Sequence, residues 1–210
     1  MANKVFISFR FSDGNKYKEE LSSIFSNDVE VINCSENEDR SNLSEPTIQK
    51  YLYDKLKNTS VTVVLITPEA VSHQKNAEGK YDDWMHDEIR YSLEDRENNR
   101  CNGLIGVYVP EAENSILKKT TCNKCTKKCK LTSVYDFENL VRKNMMNVYP
   151  GYKKNPCDGV YDSDYDSYCT LVSYEDFKEN YLDYIKKADE KRGQTHKYDI
   201  KKNLNKQAFD

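Results

Sequence analysis

The sequence predicts an α/β protein built on an open, doubly wound parallel sheet. Short runs of β-branched and aromatic residues alternate with segments of helical period as far as Pro110, a pattern typical of a parallel sheet covered by helices. The run 60–67 is almost continuously apolar, as expected of a central strand buried on both faces. Right-handed crossovers between such strands place helices on both faces of the sheet.

Each predicted element has a local signal, and together they follow the order β-α-β-α-β-α-β. A turn at Asp13-Gly14 precedes the first helix, and Ser44-Glu45-Pro46 supplies a capping hydroxyl and a first-turn proline for the second. Asp82-Asp83 places negative charge at the start of the third. We predict strands at 5–9, 29–32, 60–67 and 103–110, and helices at 16–26, from 44 to an end at 58–59, and at 84–96.

The pattern weakens from Glu111 onwards. A segment rich in Lys and Cys leads to a short predicted helix at 136–145, after which Gly, Pro, Asp and Tyr accumulate around 150–168. Several of the 16 tyrosines lie here, and they either pack the segment or form a partner surface. We therefore expect a core domain, a loop-rich, Cys-containing elaboration packed on it, a C-terminal helix and a polar tail, at 1–110, 111–172, 173–192 and 193–210.

The composition excludes several classes of protein. Hydrophobic residues make up 37% and charged residues 32%, against roughly 45–50% and 25% in an average globular protein, which leaves little material for a second core. The formal charge of -3 provides no positive field for nucleic acid. The longest apolar runs are about six residues, whereas a membrane span needs about 20. No apolar leader precedes the first strand, and we expect a cytoplasmic protein.

The helix predicted from Trp84 carries the most informative residues. Ligands of open α/β sheets bind beyond the carboxyl ends of the strands, yet neither a glycine-rich dinucleotide motif nor a P-loop is present. Trp84 and Glu88 lie one helical turn apart, beside the apolar stripe of Met85 and Ile89. A carboxylate held beside an aromatic side chain suits stabilisation of an oxocarbenium-like cation during cleavage of an N-glycosidic bond. On spacing alone, a packing tryptophan and a solvated glutamate explain the pattern better.

Four segments together resemble the TIR domains, and within them the TIR-like proteins of bacterial antiphage systems such as Thoeris. The first segment is 5–10, which contains the first strand and the residue after it. The others are the strand 61–67, the pattern Trp84-x-x-x-Glu88-Ile89 and the strand 103–107. The resemblance covers residues 4 to about 110 and agrees in the order of elements. It implies a flavodoxin-like fold and cleavage of NAD at the nicotinamide-ribose bond. The ADP-ribose-derived product, cyclic or conjugated, would be a diffusible signal that activates an effector.

The resemblance also implies roles for individual residues. Glu88 matches the catalytic glutamate of the family and Trp84 the aromatic residue before it, while Phe9 and Arg10 match the loop on the nicotinamide side of the pocket. The loop 34–43 occupies the position of the family's gating loop, where a solvated charged loop is the simpler alternative. With Ser12 and Thr67, which follow strands at the same edge, the predicted NAD-binding residues are Phe9, Arg10, Ser12, Glu36, Thr67 and Trp84.

Two features depart from the family pattern. Met85 stands where many relatives carry Cys, and the segment after Pro110 has no counterpart that aligns. His86 lies two positions from Glu88 and is expected at the surface.

The cysteines leave a structural zinc site open. Cys122, Cys125 and Cys129 are spaced like zinc ligands, with Cys157 or Cys169 as a possible fourth. Unligated thiols are the default expectation, so no metal and no permanently bound cofactor are predicted, and NAD is expected as substrate.

Two alternatives to an NAD-cleaving enzyme stay open. One is a non-catalytic interaction module of the same fold that recruits a partner through the loop after the second strand, and the other is a glycosidase of the nucleoside deoxyribosyltransferase type. The resemblance further implies self-association that completes the active site. Neither nucleic acids nor membranes are expected as binding partners.

Overall fold

The computed structural model describes residues 2–35, 45–71, 84–95, 100–121, 130–134, 140–155, 157 and 159–202. Seven strands are present there. They are β1 (Asn3–Ser8), β2 (Val31–Asn33), β3 (Val61–Ile66), β4 (Gly103–Tyr108), β5 (Leu117–Thr121), β6 (Lys130–Val134) and β7 (Cys169–Ser173). Five of them form one parallel sheet in the order β2-β1-β3-β4-β7, while β5 and β6 pair as an antiparallel hairpin.

Helices connect and cover these strands. They are α1 (Phe11–Ser26), α2 (Glu45–Leu56), α3 (Pro68–Val71), α4 (Trp84–Ser92), α5 (Pro110–Ile116), α6 (Leu140–Lys143) and α7 (Tyr174–Arg192), with 3-10 turns at Pro150–Tyr152 and Thr195–Lys197. The predicted open parallel α/β sheet is confirmed. Its strand order is flavodoxin-like and reverses at β1, so the crevice between β1 and β3 is where such folds bind ligands.

Successive side chains along each strand point to opposite faces of the sheet, so the core is divided between the two faces. Val5 and Ile7 of β1 pack with residues of α1 and α7. Phe6, between them, packs with α2 on the opposite face, where α4 and α6 cover β3 and β4. Each helix therefore belongs to one face, and α4 shares its face with the even-numbered residues of β1.

The strand β7 was not predicted. Its five residues follow a segment rich in Asp and Tyr, and this apolar run is too short to be recognised as a strand from the sequence. In the structure the run pairs with β4, beginning at Leu104↔Cys169. Helix α7 then packs against β4 so closely that a Cβ atom at Gly103 would lie 2.2 Å from the Ala188 carbonyl oxygen. The final helix, predicted at 173–192, is confirmed as α7.

Helix α1 begins earlier than predicted. Asp13 and Gly14 form its first turn rather than a separate turn before it. The carboxylate of Asp13 suits the positive end of the helix, and Gly14 lets the side chain of Phe9 approach, since a Cβ at this position would lie 3.3 Å from the Phe9 Cβ. Among the helices of the described residues, none is long and apolar enough to cross a membrane.

Candidate active site

The carboxyl end of β1 meets helix α4 through one hydrogen bond. The alternation of β1 places Ser8 on the same face as Phe6, where an apolar side chain would ordinarily fill the core. Ser8 is fully buried, and its hydroxyl donates to Oε2 of Glu88 over 2.5 Å. Glu88 is only 9% exposed, so the alternative of a solvated helix residue is wrong for this side chain.

A chain of buried polar groups fixes α4 to the sheet below Glu88. The hydroxyl of Ser92 donates to the backbone carbonyl of Glu88 over 2.8 Å and lies 2.7 Å from the hydroxyl of Thr62 on β3. The amide of Asn102 donates to the hydroxyls of Thr62 and Thr59, over 3.0 and 2.7 Å. All these side chains are buried, and their hydrogen bonds join α4 to β3 and to the residue before β4, although Oδ1 of Asn102 is itself buried without a hydrogen-bond partner among the described residues.

Helix α4 is enclosed more completely than its periodicity suggested. Met85 and Ile89 face the core as predicted, but His86 is also buried, with 4% of its surface exposed. The expectation of a surface histidine was therefore wrong. Both α2 and α6 contact α4, and the buried arc of the helix is wide enough to include His86 beside the stripe and Glu88 on its other flank, while Asp87 and Arg90 on the far side stay half-buried.

The loops after β1 and β3 are tied together at the crevice. Thr67 is buried and donates its hydroxyl to Oδ1 of Asp13 over 2.7 Å, and the backbone N–H of Glu69 donates to Oδ2 of Asp13 over 3.0 Å. The hydroxyl of Ser12 donates to the carboxylate of Glu69. Ser12 and Thr67, both predicted site residues, thus lie in one network centred on Asp13, a residue that the sequence placed directly after the first strand but not among the predicted NAD-binding residues.

Aromatic rings line the same edge of the sheet. The rings of Phe9 and Phe11 lie with their centroids 4.7 Å apart, and the buried amine of Lys18 lies 5.8 Å from the centre of the Phe9 ring. Phe9 and Arg10 are both half-buried. Since they follow Ser8 directly, the backbone itself holds these two predicted residues beside the Ser8–Glu88 pair.

The loop after β2 is anchored at its base. Ser35 is buried, and its hydroxyl accepts a hydrogen bond from the backbone N–H of Ile7 in β1 over 2.8 Å. The amine of Lys55 on α2 donates to the carbonyl of Ser35 over 3.4 Å. The predicted residue Glu36 and the side chain of Trp84 lie outside the described residues.

Most of the candidate zinc ligands lie outside the described residues, namely Cys122, Cys125 and Cys129. Cys157 is half-buried. Cys169 is fully buried in β7, and burial raises the pKa of its thiol to about 12, which disfavours the thiolate that a metal would need. Across the described ranges, no three His, Cys, Asp or Glu side chains are grouped so that they could hold a metal ion.

One comparison with known proteins decides the family. Residues 6–114, just over half of the chain, match the model of the family described as Thoeris protein ThsB, TIR-like domain. The chain belongs to this family. The resemblance drawn from the sequence is thereby confirmed, and the Thoeris TIR-like family connects the chain with antiphage defence signalling. The matched range includes Ser8, Asp13, Thr67 and Glu88, while β7 and α7 lie beyond it.

Proposed function

We propose that the chain is an NAD-cleaving enzyme of antiphage defence, with Glu88 as its catalytic residue. The single observation that carries this proposal is the buried Ser8–Glu88 hydrogen bond at the carboxyl end of β1. A glutamate that is nine-tenths buried, oriented by one hydroxyl and placed at the strand-order reversal is poorly explained as a helix-surface residue. Membership of the Thoeris TIR-like family supports the same assignment.

The proposed reaction breaks the bond between the nicotinamide nitrogen and the anomeric carbon of the ribose. The bonding electron pair goes to the nitrogen, so the positively charged nicotinamide ring leaves as a neutral molecule and the ribose becomes an oxocarbenium-like cation. The carboxylate of Glu88 stabilises that cation and orients the ribose hydroxyls. Water or a hydroxyl of an acceptor then bonds to the anomeric carbon and releases a proton. Because the leaving group is already cationic, the reaction needs no metal ion.

The residues around Glu88 would bind the rest of NAD. Phe9 and Arg10 would form the nicotinamide side of the pocket with Trp84, and Glu36 would contact ribose from the loop after β2. Ser12 and Thr67 belong to the Asp13 network, so their proposed role is to shape the wall of the crevice. Self-association would complete the site, and a cyclic or conjugated ADP-ribose product, formed in the cytoplasm, would carry the signal to a separate effector.

A substrate panel tests this proposal. The full chain at high concentration is incubated in parallel with NAD and with a set of 2′-deoxynucleosides, and products are separated by chromatography with mass detection. We expect nicotinamide release from NAD, with a second product whose mass distinguishes free from cyclic or conjugated ADP-ribose. Cleavage of the deoxynucleosides with intact NAD would replace the proposal by a deoxyribosyltransferase-type glycosidase.

A further inference from the structure

We propose that the part of the chain beyond the family match holds the helix of Glu88 in place, with Tyr168 as a positioning residue for the proposed reaction. Tyr168 lies outside the match, which ends at residue 114. It reaches α4 through hydrogen bonds that pass by way of Asn102 to Ser92. The inference rests on the proposed function for its effect on catalysis, whereas the hydrogen bonds themselves can be tested without a substrate.

The end of α4 is capped by a distant segment. Ser92 is the last residue of α4, so its backbone carbonyl has no donor within the helix. The backbone N–H of Asn102 donates to that carbonyl over 2.6 Å. The side-chain amide of Asn102 donates to the hydroxyl of Thr62 over 3.0 Å, and this hydroxyl lies 2.7 Å from that of Ser92. Asn102 therefore fixes the end of α4 with both its backbone and its side chain.

Ser92 in turn contacts the residue of the proposed chemistry. Its hydroxyl donates to the backbone carbonyl of Glu88, one helical turn earlier, over 2.8 Å. The side chain of Glu88 is held separately by the hydroxyl of Ser8. Glu88 thus has two anchors, Ser8 for its carboxylate and Ser92 for its backbone. A displacement of Ser92 would shift the backbone of Glu88 and, with it, the carboxylate.

Tyr168 fixes Asn102 from outside the family match. Its side chain is fully buried in the apolar core that it shares with Met85 and Ile89 of α4. Its hydroxyl donates to the backbone carbonyl of Asn102 over 2.8 Å, and burial raises the pKa of this hydroxyl, which keeps it protonated as a donor. An aromatic ring fills a core without a hydroxyl, so the hydroxyl is what adds the bond to Asn102.

Several hydrogen bonds hold the backbone on either side of Tyr168. The N–H of Tyr168 donates to the side chain of Asn147 over 2.9 Å. The carbonyl of the preceding residue, Ser167, accepts a hydrogen bond from the buried amine of Lys191 over 2.7 Å, and the following residue, Cys169, begins β7. Because α7 and the sheet both brace this stretch, the tyrosine hydroxyl is presented from a fixed position.

Apolar contacts bring the same part of the chain to α4 but do not fix its position along the sheet. Leu140 of α6 and Met85 of α4 belong to one core cluster, and the two helices are in contact. Apolar contacts are non-directional, whereas hydrogen bonds depend steeply on distance and angle. The hydrogen bonds through Asn102 therefore determine where α4 lies along its own axis.

Tyr168→Phe and Tyr198→Phe form a matched pair for the test. Each removes the hydroxyl of a buried tyrosine that donates to a backbone carbonyl, but Tyr198 donates to Tyr165 rather than to Asn102. Amide hydrogen exchange of the full chain is followed by mass spectrometry at residues 84–92, and kcat and KM are measured for nicotinamide release. We expect Tyr168→Phe to raise exchange in α4 about fivefold and to lower kcat about fivefold, with KM nearly unchanged. Tyr198→Phe should leave the exchange and kcat as in the wild type.

Ser92→Ala interrupts the same chain of hydrogen bonds one step closer to Glu88. Alanine is the strongest helix former, so this variant should retain α4. We expect it to lower kcat at least as much as Tyr168→Phe does. In the double variant, the loss of kcat should be smaller than the product of the two single losses, because both substitutions act on one chain of contacts.

The outcomes separate this inference from the proposed function. Unchanged exchange in α4 of Tyr168→Phe would overturn the inference whatever the substrate is. If the wild type cleaves NAD and the two tyrosine variants have equal kcat, the positioning role is overturned and the proposed function stands. Absence of nicotinamide release by the wild type would overturn the positioning role together with the proposed function.

Discussion

The hydroxyl of Ser8 and the carboxylate of Glu88 join β1 to α4 across 80 residues of sequence, through a buried hydrogen bond of 2.5 Å. Ser8 is the only polar side chain in the described β1 residues that takes a core position, between Ile7 and the half-buried Phe9. The hydrogen bond restricts the rotamers of Glu88 and directs one carboxylate oxygen towards the end of the strand. Ser8 is therefore a positioning residue in the proposed site.

Ser8→Ala tests that role. The substitution removes one hydrogen-bond donor from a buried carboxylate, so we expect the free energy of unfolding to fall by about 1–3 kcal/mol. Because a displaced catalytic group can cost up to about 10²-fold in rate, we expect kcat for nicotinamide release to fall more than tenfold with little change in KM.

Two substitutions separate positioning from general destabilisation at this site. Ser8→Thr retains the hydroxyl and should recover most of the activity. Ser35→Ala removes another buried hydroxyl, which bonds the backbone of β1 but not Glu88, and should affect stability without a matching loss of kcat. Equal losses of kcat in Ser8→Ala and Ser35→Ala would assign Ser8 a structural role only.

Gly103→Ala tests the close packing of α7 on β4. The new Cβ atom would lie 2.2 Å from the backbone oxygen of Ala188, so either the helix or the strand must shift, and we expect a loss of about 3 kcal/mol in urea denaturation. The matched control is Gly151→Ala, where a Cβ would meet no atom within 4 Å. Similar stabilities for the two variants would contradict the packing described for α7.

The buried amine of Lys191 should make the free energy of unfolding depend on pH. Burial lowers the pKa of its amine from 10.5 to about 8, although the amine donates to Ser167 and Thr170. Between these two values the unfolded chain retains a proton that the folded chain has lost, so this residue makes the free energy of unfolding rise with pH. Below about pH 8 both states are protonated and the contribution no longer changes.

The measurement compares urea denaturation of the wild type and Lys191→Met across that window. The comparison is needed because burial raises the pKa of Cys169 from 9.0 to about 12, which lowers stability as the pH rises above 9.0. The stability of the wild type relative to Lys191→Met should increase from about pH 8 towards 10.5. A difference that stays constant with pH would show that Lys191 does not titrate as described.

The sequence predicted the framework of the fold because its signals are local. The nearly continuous apolar run of β3 and the helical stripe of Met85 and Ile89 each specify burial within one element. The strand β7 was missed because its short run depends on pairing with β4 for its stability. His86 was misplaced because the apolar stripe of α4 does not reveal how far burial extends to the polar residues on its flanks.

The candidate site was predictable only in part. Spacing and resemblance selected Glu88, but its partner Ser8 is 80 positions away, and no local pattern connects the two. The role of Asp13 was equally hard to predict, because it joins segments that follow different strands. The composition of these segments suggested turns and polar loops, whereas the tertiary fold makes their side chains mutual partners.

The most direct test of the central claim compares nicotinamide release from NAD by the wild type, Glu88→Gln and Asp87→Asn. Asp87 is the adjacent carboxylate on α4, half-buried and paired with Arg90 over 3.4 Å, so its substitution controls for removing a negative charge from this helix. We predict release by the wild type and by Asp87→Asn, and a loss of about 10²-fold or more in Glu88→Gln. Equal release by all three proteins, or none by the wild type at high concentration, would contradict catalysis by Glu88, and the second result would favour a non-catalytic interaction module.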